Sequence, residues 1–370
     1  MKKILFLIHD LGPGGAEKVL VNLVNNMDFA QFDITVMTLF DEGVNRQFLS
    51  PKITYKSCFG KAIPGNSHLM KLLSPRALHR WLIKERYDVE VAYLEGPCAR
   101  IISGCGDPKT KKVAWIHIEQ RTEKRAAVSF RSSREALECY NRMNRTICVS
   151  QTVKEDFLRL LPVQTPTEVL YNTNESLKIL RLAQEPVEPD LLSDGEIKLV
   201  GVGKLLKNKG FHRVIPMIER LRSDGYNVHL YLLGDGPMRQ ELEHQASECN
   251  VSDSVTFLGY QTNPYKYVAK CDLFVCASFA EGFSTAATEA LIVGTPVCTV
   301  EVSGMKEMLG ESNEWGIVTE NDENALYEGI KRLLDNPALL AHYREKAAER
   351  GRTFSTENTV SAVQEMLNTL

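Results

Sequence analysis

The chain has 370 residues, 44% of them hydrophobic and 25% charged, a globular composition long enough for two domains of about 150–200 residues each. This excludes a disordered, fibrous or repeat-built protein. Net charge is only −3, but residues 1–180 carry 26 Lys and Arg against 19 Asp and Glu, whereas residues 181–370 carry 18 against 28, so the first half is suited to an anionic partner.

The opening MKKILFLIHD has the lysines and short apolar run of a signal peptide, but His9 and Asp10 interrupt it and a Gly-rich turn follows. It reads as a first buried strand. AEKVLVNLVNNM has helical spacing; FDITVMTLF is β-rich; SPRALHRWLIKERY is an amphipathic helix. VEVAYL, KVAWIHIE and RTICVS are further short strands. Residues 176–195, with EPVEPDLLSDGE at their end, are rich in Pro and acid and read as a linker. A second alternating series follows: EIKLVGVG, RVIPMIERLRSDG, NVHLYLLGDGP, MRQELEHQASECN, SVTFLGY, CDLFVCAS, FSTAATEALIVG, TPVCTV and NALYEGIKRLLDNP.

Alternating β and α elements imply an α/β protein with two doubly wound parallel sheets. The expected boundaries are 1–175, 176–195 as linker, and 196–352, with 353–370 packing back on the first domain. Ligands are expected in a cleft at the carboxyl ends of the strands. No stretch of about 18 apolar residues exists to cross a membrane. Nine cysteines without a Cys-x-x-Cys pair read as small core residues of a reducing compartment, not a zinc cluster.

Three loops carry candidate chemistry. LGPGGAEKVL places Gly14 and Gly15 between a strand and a helix, where backbone N–H groups can meet an anion. It is not G-x-G-x-x-G, and no nicotinamide fingerprint is present. VGKLLKNKGF puts Gly203, Lys204 and Lys209 just past a strand, where two ammonium groups can neutralise a diphosphate. SFAEGFSTAATEALIVGTPV spaces Glu281 and Glu289 eight positions apart, from a loop into a helix that Ser284 can cap. The N–H groups of Gly282, Phe283 and Ser284 then face any anion bound there.

Residues 202–210 and 281–289 resemble the two donor-site motifs of the GT4-type retaining glycosyltransferases of the GT-B fold. GDGP at 234–237, FLGY at 257–260 and GGAE at 14–17 are similar to further landmarks of that family. The resemblance implies two Rossmann-like domains facing a central cleft. It assigns Lys204 and Lys209 to the donor diphosphate, Glu281 to hydroxyls of the transferred sugar and Glu289 to the ribose. Leu258 to Tyr260 would face the base, and the Gly14–Gly15 loop the phosphates and acceptor. His117 would touch the donor sugar, and Asn172 would shape the cleft. Lys204 stands where arginine is more usual, which keeps the charge but loses the bidentate fork.

The expected activity is retaining transfer of a sugar from a nucleotide diphosphate, a UDP-sugar in first place by family frequency. The acceptor would be a glycan or lipid-linked glycan of surface polysaccharide or glycolipid synthesis. No Asp-x-Asp is present, so basic residues replace a cation and no metal or cofactor is expected. The basic stretches 71–86 and 121–134 are candidates for docking on anionic lipid from the cytoplasmic side; no nucleic-acid motif accompanies them. The competing readings are another GT-B enzyme such as a sugar-nucleotide epimerase, and a non-enzymatic two-lobed binding protein.

Overall fold

A computed structural model describes residues 1–61, 70–188, 191–192 and 195–370. It divides into two compact units, Met1–Asn174 with Thr356–Leu370, and Glu175–Ser355.

The first unit is built on seven parallel strands: β1 (Lys2–Ile8), β2 (Phe32–Phe40), β3 (Thr54–Phe59), β4 (Val89–Ala92), β5 (Lys111–Ile116), β6 (Arg145–Cys148) and β7 (Thr167–Val169). Their order is β3-β2-β1-β4-β5-β6-β7. Parallel strands must be covered on both faces, which is why β1 reads as an unbroken apolar run and Ile4 to Ile8 are buried. Leu5 pairs with Thr35 on one side and Glu90 on the other. The chain runs outward from β1 to β3 and then returns to place β4 beside β1. The sheet therefore has a switch point at the carboxyl ends of β1 and β4, where α/β proteins bind ligands.

The second unit repeats the plan with six parallel strands: β8 (Ile197–Val202), β9 (Val228–Leu233), β10 (Val255–Gly259), β11 (Leu273–Cys276), β12 (Val297–Val300) and β13 (Ile317–Thr319). The order β10-β9-β8-β11-β12-β13 puts its switch point between β8 and β11. Leu199, Leu230, Leu232, Leu273 and Val275 from the sheet pack with Ile215, Ile218 and Leu221 of the helix Phe211–Ser223 to form the core.

Two expectations need correction. Part of the supposed linker, Ser176–Ala183, is a helix, and it packs on the helices Tyr265–Val268 and Thr285–Ile292. Its Ile179 is buried with Tyr265 and Ile292. A leucine-rich helix was hidden behind the Pro- and acid-rich stretch that follows it. The strand expected through His117 stops at Ile116, so His117 stands in the loop at the strand's end.

The last helix, Thr356–Thr369, belongs to the first unit. Its Thr356 hydroxyl donates to the Asn174 carbonyl at 2.7 Å, and Lys2 Nζ donates to the Leu367 carbonyl at 2.7 Å. No described helix is long and apolar enough to cross a membrane.

Candidate active site

In the second unit the loops after β8, β9, β10 and β11 are joined through their backbones. Gly203 N donates to Leu233 O (2.9 Å), Leu205 N to Asp235 O (3.0 Å) and Gly234 N to Gly259 O (2.8 Å). The motifs read separately as VGK, GDGP and FLGY thus form one hydrogen-bonded rim. Phe279 N donates to Asn208 O at 2.8 Å, which ties the Glu281 loop to the Lys209 loop. Gly210 makes that approach possible: its φ is +71°, and a Cβ there would lie 2.0 Å from the Ala277 carbonyl oxygen.

Across this junction Lys209 Nζ meets Glu281 Oε1 at 2.7 Å. The buried Ser278 hydroxyl donates to the same oxygen, also at 2.7 Å. Glu281 is therefore held by two charge-assisted hydrogen bonds, one from an ammonium and one from a hydroxyl, each from a different loop. Ser278 in turn accepts from the Cys276 thiol at 3.6 Å. Lys204 is exposed and has no ion-pair partner among the described residues. Its ammonium is available to a bound anion, whereas that of Lys209 is already engaged.

Ser284 caps the helix Thr285–Ile292, its side chain accepting from Ala287 N. Free N–H groups of that first turn and the helix dipole favour an anion at this end. One turn further, Glu289 is 6% exposed, and the Tyr265 hydroxyl donates to its Oε1 at 3.2 Å. Gly282 is half-buried, and the Phe283 ring is buried edge-on against Phe354 at 5.5 Å. Leu258 is half-buried, while Tyr260 is 70% exposed at the rim.

The first unit gathers a different set at its own switch point. Gly14 and Gly15 open the helix Gly15–Asn26, and Gly14 supplies no side-chain cap. Asp10 Oδ1 accepts from Gly12 N at 2.7 Å and so shapes the turn before it. Beyond β5, the His117 backbone N–H donates to Glu95 Oε2 at 3.1 Å, and Gln120 Nε2 donates to Glu95 Oε1 at 3.1 Å. Burial raises the Glu95 carboxyl above the ordinary glutamate range against these hydrogen bonds. Burial also pushes the His117 imidazole down to about 3, so the ring is neutral. It lies 4.8 Å from the Tyr93 ring, and its buried Nε2 has no hydrogen-bond partner among the described residues. Such an orphaned atom is costly unless a ligand completes it. Asn172 is buried near the end of the unit.

Glu95, Ser278 and Tyr265 were not singled out by sequence. Glu95 alone left a trace, as the acid that ends the apolar run VEVAYL.

Two family models divide the chain between them. "Glycosyltransferase Family 4" matches residues 13–173, and "Glycosyl transferases group 1" matches 185–352. A transferase of Campylobacter jejuni is 27% identical over 368 residues, covering 96% of each chain; its name is N-acetylgalactosamine-N,N'-diacetylbacillosaminyl-diphospho-undecaprenol 4-alpha-N-acetylgalactosaminyltransferase. The lipopolysaccharide core biosynthesis glycosyltransferase LpsD of Rhizobium meliloti is 26% identical over 361 residues, covering 96% of this chain and 94% of that one. Among solved structures, Anabaena Alr3699/HepE in complex with UDP superposes with a TM-score of 0.78 at 20% identity over the whole of both chains. Sucrose-phosphate synthase from Thermosynechococcus elongatus gives 0.77 at 17%, covering 100% of this chain and 99% of that one.

Proposed function

This chain belongs to the group 1 glycosyltransferases, and from that premise we propose that it transfers a sugar, with retention and without a metal, from a UDP-sugar to a lipid-linked or glycan acceptor of surface polysaccharide assembly. The observation that carries this reading is the rim of the second unit, where Lys209, Ser278 and Glu281 are hydrogen-bonded together across two loops of one switch point.

The chemistry asked of such a rim is departure of a nucleoside diphosphate from an oxocarbenium-like carbon. Negative charge grows on the leaving phosphate, and groups fixed in advance where it grows lower the barrier. Lys204 and Lys209 supply full charges there, and the N–H groups at the start of helix Thr285–Ile292 supply partial ones. When the diphosphate takes the Lys209 ammonium, Glu281 keeps the Ser278 hydrogen bond and turns its free lone pairs to sugar hydroxyls. Glu289, oriented by Tyr265, accepts from the ribose. This pair is not a hydrolase pair, because Glu289 serves the nucleotide and not the glycosidic bond.

Retention follows if the acceptor hydroxyl attacks from the face the phosphate leaves, with a phosphate oxygen taking its proton. The uridine assignment rests on the UDP held by the Anabaena neighbour, and the lipid-linked acceptor on the diphospho-undecaprenol in the name of the Campylobacter relative. The orphaned His117 Nε2 is suited to one sugar hydroxyl. The basic stretches of the first unit are joined into one surface, since Arg131 donates to the Lys71 and Leu72 carbonyls at 2.6 and 2.7 Å. Leu72, Trp81 and Val128 of these stretches are exposed, as are Arg80, Lys84, Arg125 and Arg134. Apolar groups beside cations match an anionic membrane.

The test begins with a thermal-shift screen of nucleotide sugars, in which a true donor raises the midpoint with concentration. Transfer with the best donor is then run in chelator, and the product anomer is read by NMR. Turnover in EDTA with a retained anomer is expected. Loss of turnover that a divalent ion restores, or an inverted product, contradicts the proposal. Conversion of donor without acceptor points to an epimerase.

A further inference from the structure

Away from the switch points, the first unit contains a buried trio that the transfer reaction does not use. Glu90 is the second residue of β4 and is 1% exposed, among Val89, Val91 and Ala92. A carboxylate inside a parallel sheet is costly unless a partner compensates it. Its partner is His79, whose Nε2 lies 2.8 Å from Glu90 Oε2. His79 lies on helix Pro75–Leu82, on the same stripe as the buried Pro75 and Leu78.

Cys105 completes the group. It is 8% exposed, and its sulfur lies within 4.8 Å of the ligand atoms of His79 and Glu90. The turn that carries it presses on the start of the His79 helix: a Cβ on Gly104 would lie 2.0 Å from the Pro75 carbonyl oxygen. One nitrogen, one oxygen and one sulfur donor thus lie within 4.8 Å of one another, on three separate elements.

We propose that His79, Glu90 and Cys105 are a binding site for one divalent metal ion of the zinc class. Four tetrahedral ligands at zinc bond lengths stand about 3.3–3.8 Å apart, so the trio needs only small side-chain adjustments to close on an ion. Imidazole nitrogen, thiolate sulfur and carboxylate oxygen are the donors that zinc takes, and three protein ligands leave a fourth position for water. The charges also close: a dication balances one thiolate and one carboxylate, with the imidazole neutral. Binding therefore displaces the thiol proton and any proton shared between His79 and Glu90, both released to solvent.

The site lies toward the start of the strands. Glu90 pairs with Leu5 and Lys112, whereas the Glu95 and His117 loops leave the carboxyl ends. The ion has a structural role, tying helix Pro75–Leu82 and the turn at Cys105 to the central strand. Its ligands are 11 and 15 residues apart in sequence, so no local motif announces it.

The test uses full-length protein freed of metal and titrated with cobalt(II), a spectroscopic substitute for zinc. Expected are one cobalt per chain, a thiolate-to-cobalt charge-transfer band, displacement of that band by zinc, and a zinc-dependent rise in thermal midpoint. Cys105→Ser should abolish the band and weaken zinc by at least roughly tenfold, since even outer partners of metal ligands carry that much. Cys58→Ser should leave both unchanged, and His79→Gln provides a second removal of a ligand. Sugar transfer by Cys105→Ser should stay at the wild-type rate in chelator, which separates this site from the transferase reading. Absence of the band in the wild type, or its survival in Cys105→Ser, overturns the proposal and leaves a buried His–Glu hydrogen bond.

Discussion

The two units place polar residues at equivalent points of the same architecture, yet they arm them differently. At the β8/β11 switch, Lys209 and Glu281 are a charge pair at 2.7 Å, steadied by the Ser278 hydroxyl. At the β1/β4 switch, burial keeps His117 neutral and draws Glu95 toward its protonated form. One site is organised around full charges, and the other around hydrogen bonds that change sign of donation easily. A donor diphosphate needs the first kind of site, because charge develops on it during reaction. A neutral group such as the His117 imidazole can meet an uncharged hydroxyl without leaving a buried ion behind when the ligand departs.

That contrast is broken most severely at Lys209. Lys209→Ala should lower kcat/KM by roughly 10²–10³, the usual cost of one preorganised electrostatic group, with a thermal midpoint near that of the wild type. Initial-rate kinetics and a melting curve check both parts. Next in size is Glu289→Gln. It removes a charged acceptor from the nucleotide, so donor KM should rise about tenfold or more with kcat largely kept, the pattern of lost uniform binding. A fall in kcat at unchanged KM would move Glu289 into the chemical step.

Ser278→Ala probes orientation. Losing one hydroxyl hydrogen bond to a carboxylate costs about 1.5 kcal/mol, so kcat/KM should drop about tenfold. In the double variant with Lys209→Ala the two losses should be less than additive, since both groups hold the same oxygen. Full additivity would mean that they act apart.

The smallest effect sharpens the first-unit side of the comparison. An unfolded histidine titrates near 6.5, while His117 in the fold titrates at about 3. Between those values the unfolded chain binds the extra proton. Stability should therefore fall as pH drops from about 7 toward 3, and His117→Asn should lessen that slope. Urea denaturation at pH 7 and pH 5 measures it. Transfer assays across pH 5–8 should show no inflection from His117.

How much of this was legible in the sequence depends on the distance over which each feature is written. The parallel sheets were legible because strands hold continuous apolar runs such as ILFLI (4–8) and LYLL (230–233), the mark of burial on both faces. The Lys204–Lys209 and Glu281–Glu289 pairs were legible because each falls within one loop and its helix. The partners were not. Tyr265 reaches Glu289 across 24 positions of sequence, whereas Ser278 lies three positions before Glu281 in the same loop, a local contact that no motif marks. Glu95 meets His117 across adjacent strands and 22 positions of sequence. The helix Ser176–Ala183 was hidden by the composition of the residues after it. For Tyr265 and Glu95 the missing information was tertiary, carried by strand order and not by spacing.

The central claim is that the rim holding Lys209 and Glu281 receives the donor's diphosphate. Calorimetric titration of UDP into the wild type and into Lys209→Ala tests it with no acceptor and no chemistry involved. The account predicts saturable one-to-one binding by the wild type and at least about tenfold weaker binding by the variant, as expected for loss of a charged hydrogen bond. Equal affinity for UDP in a folded Lys209→Ala protein would contradict it.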